Sequence, residues 1–557
     1  VITISIKGGN NLNKMTVAAY LAEQLDAWGV RYLYGVPGDA ILPFLAAVDQ
    51  HPRLRLISVK NETTAALMAS AEAKLNERLG VCLATSGPGA ANLLNGLADA
   101  KSDRVPVLAI TGQVASFNLG TDYKQAIDQN LLMAAVAQYS GLVAVPDSCN
   151  DVLVKALRIA VSRGAVTHVA FTKDVWLLPT EEKVRPYEPY LQTVAQSSPE
   201  VISEAIRRCN EAERPAILVG RGVQKSGPQL LELAAKWQAG LCLSMPAKGM
   251  LSGSDFIMGG LGEGGSEAAT ALLAAADLIL IVGATWWPDK YVPPLKRIIQ
   301  LDAVPENIGG QTQVEYGLVG DVAVLLPAII NGLSFKEKPV WQEQLRKISR
   351  RWREQIQLET LPDPETITPG YLMTVLEKTV AADAIIALDV GDHTVWFNRH
   401  FKGSRQEVLI SGSWRTMGFG LAAALSAKLS RPEKQVIALC GDGGLAMNIG
   451  DFLTAVRYRL PIVVVVVNNG YLAMEKDHME LMNLDPTVTA ITNPDFSKIA
   501  QACGGSGFRV ERPEDLAEAL YRAIQSQQPA IVDVITSPAP FPGIVKQQQT
   551  YREPAPV

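Results

Sequence analysis

The sequence predicts an α/β protein built from three doubly wound parallel sheets. Three observations carry the prediction. Short β-branched runs alternate with helix-like stretches in three separate segments. The 557 residues are too many for a single hydrophobic core. The composition, 48% hydrophobic and 19% charged, is that of an ordinary compact protein.

The elements follow in chain order. Residues 1–14 read as a loose leader, since VITISIKGGNN lacks the charged-then-apolar pattern of a secretion signal. An N-terminal domain spans 15–180, with strands in RYLYGVPGD, RLISVKNE, GVCLATSGPGAAN and VPVLAITGQ, each apolar and each ending in turn residues. The polar, proline-bearing stretch 181–200 is a linker. A central domain, 201–334, places strands in PAILVG, ADLILIVG and RIIQLDA. Residues 335–369 form a second linker, containing the charged surface helix KEKPVWQEQLRKISRRWREQIQLE and then LPDPETITP. A C-terminal domain, 370–540, has strands in AIIALDVG, QVIALCGDGG, PIVVVVVNN and PAIVDVI, and 541–557 is a tail.

Bulk properties exclude several function classes. The net charge of −5 is spread without long blocks, which argues against nucleic acid or an anionic membrane surface as partner. Six cysteines lie far apart with no CxxC pair. That pattern suits a reducing cytoplasm and argues against a zinc site or disulfide framework. No apolar run approaches the ~20 residues that span a bilayer.

The chemistry concentrates in ALCGDGGLAMNIGDFLTAVRYRLPIVVVVVNNGY. Asp442 ends one apolar strand and Asn469 ends the next, 27 residues later. Parallel strands bring these two ends side by side at the edge where open α/β sheets bind ligands. A carboxylate, an amide oxygen and a backbone carbonyl make a hard oxygen site suited to Mg²⁺, which completes its shell with phosphate and water. Gly441, Gly443 and Gly444 let backbone N–H groups approach phosphate where the next helix starts.

GDGG, this spacing and NN resemble the thiamine diphosphate (ThDP) fingerprint of the large family of pyruvate oxidase, acetolactate synthase and pyruvate decarboxylase. The resemblance covers residues 15–545. It implies that Asp442, Asn469 and the carbonyl of Tyr471 hold Mg²⁺, and that His393 in DVGDHTVW touches the diphosphate. It implies that Glu62, opening the largely apolar helix of ETTAALMASAEAKL, exchanges a proton with the cofactor's pyrimidine ring. Such a carboxyl must be sheltered and protonatable near neutral pH. The family's basic residue-His-Glu pattern is Lys60-Asn61-Glu62 here. SGSWRTMGFG resembles the segment that bends the cofactor, with Met417 beneath it and the carbonyl of Arg415 on the aminopyrimidine. The family builds its sites between subunits, which implies a homodimer or homotetramer.

The branch within the family is mixed. PAILVGRGVQKSG and IIQLDAVPENIGG resemble the oxidase type, in which Gly220, Gly222 and Asp302 would hold FAD. GGLGEGG lacks the arginine expected beside a flavin, so FAD stays open. Asp39 in GVPGD stands where simple 2-oxo acid decarboxylases carry a catalytic aspartate, and it also suits a helix-capping turn. Gln125 fits the family's Phe-Gln, while Lys124 departs from it. Position 475 is usually aliphatic in oxidases and synthases and glutamate in pyruvate decarboxylases; here it is Glu475. Position 478 is glutamate or tryptophan in those branches; here it is His478. An acid such as Glu475, with Asp39, supplies the proton that releases an aldehyde, or guides attack on a second carbonyl. The expectation is therefore a non-redox, acetolactate synthase-like decarboxylase or carboligase acting on a small 2-oxo acid. FAD-dependent pyruvate oxidase is the alternative, and a catalytically silent binding or regulatory subunit is a third reading that intact Glu62, Asp442 and Asn469 disfavour.

Overall fold

A computed structural model describes residues 15–188, 196–223, 226–284, 291–293, 296–310 and 312–540. The expected leader 1–14, the tail 541–557 and part of the first linker lie outside the described residues. The chain forms two compact units, residues 1–192 and 193–557.

The first unit holds a six-stranded parallel sheet in the order 55–58, 32–35, 80–84, 107–113, 166–172, 139–143. Strands Val107–Gln113 and Val166–Thr172 are buried along their whole length. Helices cover both faces of the sheet, so even the polar Thr167, His168 and Thr172 are buried. Leu33, Leu83, Ile110 and Phe171 pack there with Leu21, Leu25 and Leu157 from the covering helices.

The second unit contains two more six-stranded parallel sheets. The central one runs 257–260, 240–243, 215–219, 278–282, 297–302, 316–319, and the C-terminal one runs 407–410, 385–388, 436–441, 462–468, 530–535, 506–510. Every expected strand is present. The strands that periodicity missed are mostly at sheet edges (139–143, 257–260, 316–319, 407–410 and 506–510), where one side of the ladder is open and the apolar run is diluted.

The helix expected to be a charged surface element, Pro339–Glu359, is more than that. It buries Trp341, Leu345 and Ile356, and the first two enter the central core. Its last residue, Glu359, accepts two hydrogen bonds from Arg399 (Nε and Nη2, each 2.6 Å) and one from His400 Nε2 at 3.1 Å. Arg399 also reaches Glu267 at 3.1 Å and lies over the Trp352 ring, so this cluster locks the central and C-terminal sheets together.

Burial pushes the Glu359 carboxyl up, but the bonds from Arg399 and His400 outweigh it and hold the pKa near about 2. A depressed folded pKa stabilises fully above the ordinary carboxylate value and loses that contribution as pH falls toward 2, roughly 3 kcal/mol in all. Glu359→Gln should therefore lower Tm most at pH 7, and the gap to wild type should narrow steadily as pH falls from about 4.5 through 2. A gap independent of pH in thermal unfolding would refute this. Among the described residues no helix is long and apolar enough to cross a membrane.

Candidate active site

In the C-terminal sheet, strands Val436–Gly441 and Ile462–Asn468 are parallel neighbours with Gly441 opposite Val467. Their ends therefore deliver Asp442 and Asn469 to one edge. Asp442 is buried; its Oδ1 accepts from Gly443 N at 2.9 Å, and its Oδ2 accepts from Gly470 N at 2.8 Å and Asn493 Nδ2 at 2.7 Å. The carboxylate is thus tied to the residue after Asn469, whose own Oδ1 accepts from Tyr471 N at 3.1 Å. Burial raises the Asp442 pKa, with the Gly470 and Gly443 bonds opposing it. A divalent cation beside it would favour the ionised form. Among the described residues no cluster of three His, Cys, Asp or Glu is placed to hold a metal, but a site of one carboxylate, one amide and one carbonyl needs none.

His393 lies in the same crevice. A Cβ at Gly391 or at Gly441 would stand 3.0–3.1 Å from its ring atoms, so both glycines make room for this imidazole. Burial pushes its pKa down to about 4, partly offset by a bond to the Asp389 carbonyl. Its Nε2 is buried with no hydrogen-bond partner, a state that costs about 1–3 kcal/mol. A diphosphate oxygen fits this orphan: nearby negative charge favours the protonated ring, in which Nε2 donates.

Two supporting residues of this sheet edge escaped the sequence reading. Asp389, fully buried at the end of strand Ile385–Leu388, accepts from Val390 N at 2.8 Å and from Gly418 N and Phe419 N at 3.2 Å each. It pins the SGSWRTMGFG segment to the His393 segment, and a Cβ at Gly444 would stand 2.6 Å from its Oδ2. A polar residue ending a buried strand is the signal that flagged Asp442, and it applies to Asp389 equally. Asn493 bridges Asp442 and Asn468 Oδ1 (3.0 Å), and nothing in its local sequence announces that. Gly443 faces Leu472, Ile491 and, at 3.4 Å from an added Cβ, Met417 Cε. Arg415, at φ 54, sits exposed on the turn leading to half-buried Met417.

Helix Ala473–Leu481 turns Ala473 and Asp477 inward and leaves Glu475 exposed. His478 lies between two carboxylates, with Nδ1 3.9 Å from Glu475 and Nε2 3.8 Å from Glu263 of the central domain.

The first unit gathers its own set around the loop 85–92. Asn61 caps the helix Glu62–Asn76 by accepting from Thr63 N. Glu62 is buried; its Oε2 accepts from Asn92 Nδ2 at 3.0 Å and its Oε1 lies 3.1 Å from where a Cβ at Gly89 would be. Gln125, at φ 62, packs against Gly87 and accepts from Ser86 Oγ at 3.3 Å. The turn bearing Asp39 packs on Thr85, with Ala40 N donating to Thr85 Oγ1 at 3.3 Å. Asp39 itself is exposed and paired with Lys173 Nζ at 2.6 Å, and Lys124 is exposed. Asn92 is the partner that sequence reasoning missed.

The features that suggested flavin have local explanations. A Cβ at Gly220 would fall 2.1 Å from the Gly283 carbonyl, and Gly222 packs equally against Gly283, so backbone packing demands both glycines. Asp302 Oδ1 accepts from Val304 N at 2.9 Å and Asn307 Nδ2 at 2.8 Å.

Comparison with known proteins agrees with this geometry. Residues 15–132, 202–329 and 389–534 match, respectively, the N-terminal TPP binding domain, the central domain and the C-terminal TPP binding domain of the thiamine pyrophosphate enzyme family. The chain is 36% identical to a putative thiamine pyrophosphate-containing protein, YdaP, of Bacillus subtilis, covering 96% of this chain and 94% of that one. It is 33% identical to a pyruvate oxidase of Lactiplantibacillus plantarum (94% and 89% covered) and 31% identical to the acetolactate synthase isozyme 2 large subunit of Escherichia coli (93% and 95% covered). The chain belongs to the thiamine pyrophosphate-dependent enzyme family that includes the acetolactate synthases and pyruvate oxidase.

Proposed function

We propose that the protein decarboxylates a 2-oxo acid with ThDP and Mg²⁺ and passes the remaining fragment to a proton or to a second carbonyl compound, without redox chemistry. The observation that carries the cofactor assignment is the buried Asp442 carboxylate, tied to the Asn469 loop, in the crevice that also holds the orphaned His393 Nε2. Asp442, Asn469 and the Tyr471 carbonyl would hold Mg²⁺. His393 and the N–H groups following Gly441, Gly443 and Gly444 would hold the diphosphate, and the Arg415 carbonyl with the Met417 backbone would hold the pyrimidine. When bound, ThDP supplies the carbon nucleophile and the electron sink for CO₂ loss.

The protein's own groups manage protons. Glu62, sheltered and accepting from the neutral Asn92 amide, would give and take a proton at the pyrimidine ring. Glu475, with Asp39, gives a proton to the carbon that has lost CO₂ or to the oxygen of an acceptor carbonyl. Gln125 would orient the substrate, and His478 would stand beside Glu475, 3.9 Å away, within reach of the same fragment. The proposed assembly is a cytoplasmic homodimer or homotetramer.

A flavin-dependent pyruvate oxidase is the second reading, favoured by the Lactiplantibacillus relative. One experiment separates the two. The purified holoprotein, given a panel of 2-oxo acids, should release CO₂ and yield an aldehyde or a ligation product while showing no flavin absorption. A yellow protein whose bands bleach with pyruvate would overturn the non-redox reading.

A further inference from the structure

Glu263 enters from the central domain, on the loop Gly262–Gly265, and its placement is tightly supported. Gly262 and Gly264 hold positive φ (115 and 58), and Gly265 N donates to the Gly262 carbonyl at 2.9 Å. Asn398 Nδ2 donates to the Leu261 carbonyl at 3.2 Å, and Arg399 Nη1 to the Gly265 carbonyl at 2.9 Å. Both side chains are buried and come from helix Asp392–His400, the helix that carries His393. The fold therefore fixes the loop bearing Glu263 against the last turn of the helix that carries His393, with the Glu263 carboxylate 3.8 Å from His478.

Among the described residues, the charges around His478 are one-sided. His478 carries at most one positive charge between Glu263 and Glu475. The next cation on the helix, Lys476, is engaged by Glu480 at 2.7 Å and lies 3.9 Å from Asp477. Whatever the protonation of His478, the trio is net negative when both glutamates are ionised. Like charges brought together at such a site are disfavoured, most strongly where water is excluded.

We propose that Glu263, acting with Glu475 and His478, makes the acceptor step selective for an uncharged carbonyl compound, an aldehyde, over a second 2-oxo acid anion. This rests on the decarboxylase reading above. The donor is also an anion, but its carboxylate leaves as CO₂, so the repulsion is relieved on the way to the transition state. An acceptor's carboxylate would persist into the product. In the ligation, the donor loses CO₂, its former carbonyl carbon bonds to the aldehyde carbon, and one proton is taken up, leaving a neutral hydroxyketone. Glu263 is a specificity-determining residue in this scheme, acting by its charge rather than by touching the reacting atoms.

The test offers the holoenzyme one 2-oxo acid donor with equal concentrations of an aldehyde and a second 2-oxo acid, and measures both ligation products. Wild type should favour the aldehyde product. Glu263→Gln should raise the 2-oxo acid product relative to it about tenfold, the scale of one screened like charge. Raising salt from about 20 to about 300 mM should move wild type the same way about threefold, because the screening length falls from roughly 20 to 6 Å. A binding measurement stands beside these. Calorimetric titration of the holoenzyme with oxamate, an inert anionic mimic, and with its neutral amide, oxamide, should show Glu263→Gln tightening oxamate several-fold and leaving oxamide unchanged. Equal responses of the two ligands overturn the proposal, as does a wild-type preference for the anionic acceptor. Absence of CO₂ release from any 2-oxo acid would overturn the decarboxylase reading instead, and the oxamate and oxamide titrations would still decide the role of Glu263.

Discussion

Glu62→Gln is expected to lower decarboxylation at saturating ThDP by two to four orders of magnitude, the range lost when a positioned acid–base group is removed. The geometry makes this a clean substitution. Glutamine keeps the length and shape of the side chain, and its amide oxygen can still accept from Asn92 Nδ2, which stands 3.0 Å from Glu62 Oε2. Asn61 still caps the helix through Thr63 N, so the first turn retains its own support. What the amide cannot do is take a proton and return it. Tm and the dissociation constant for ThDP should therefore move little while kcat collapses. Activity within tenfold of wild type would remove Glu62 from the mechanism.

Asp442→Asn should weaken Mg²⁺–ThDP binding by about a hundredfold or more, as expected when an ionic contact worth roughly 3 kcal/mol is lost. The variant also carries a cost without any ligand. Both carboxylate oxygens accept backbone N–H groups, Gly443 on one side and Gly470 on the other, and Asn493 adds a third donor. An asparagine offers one oxygen and one NH₂, so one donor must face another donor whichever way the amide turns. An unsatisfied buried donor costs about 1–3 kcal/mol. The apo-protein should therefore melt at a lower temperature than wild type, and added Mg²⁺–ThDP should raise its Tm less. Undiminished cofactor affinity by titration would show that Asp442 is a scaffold residue only.

Both arguments began in the sequence and were completed by the fold. The placement of Asp442 and Asn469 was legible because parallel strands bring successive C-terminal ends to one edge, and in-register pairing of Gly441 with Val467 does so here. Glu62 was legible for a similar reason, as a carboxylate opening an apolar helix just after a strand. The glycines were legible as requirements for space but not for what fills it. His393 lies against Gly441, the Asp389 carboxylate against Gly444, and Leu472 with Met417 against Gly443. The helix 339–359 looked like a charged surface element because Glu359, Arg399 and Glu267 lie far apart in the chain, and nothing local reveals that they neutralise one another in the interior.

The sequence by itself determined the three parallel sheets, the placement of Asp442 and Asn469 at neighbouring strand ends, the helix-start glutamate and the family. The sheets and these positions follow from periodicity and turn chemistry, which act over a few residues and survive without knowledge of the partners; the family follows from the resemblance of GDGG and NN to a known fingerprint. Only the tertiary structure decided that Asn493 and Gly470 hold the Asp442 carboxylate, that His393 is buried with a free Nε2, and that Glu263 reaches His478. Each of these is a contact between segments tens to hundreds of residues apart. Hydrogen bonding, burial and charge pairing depend on distance in space, and a linear pattern does not contain that distance.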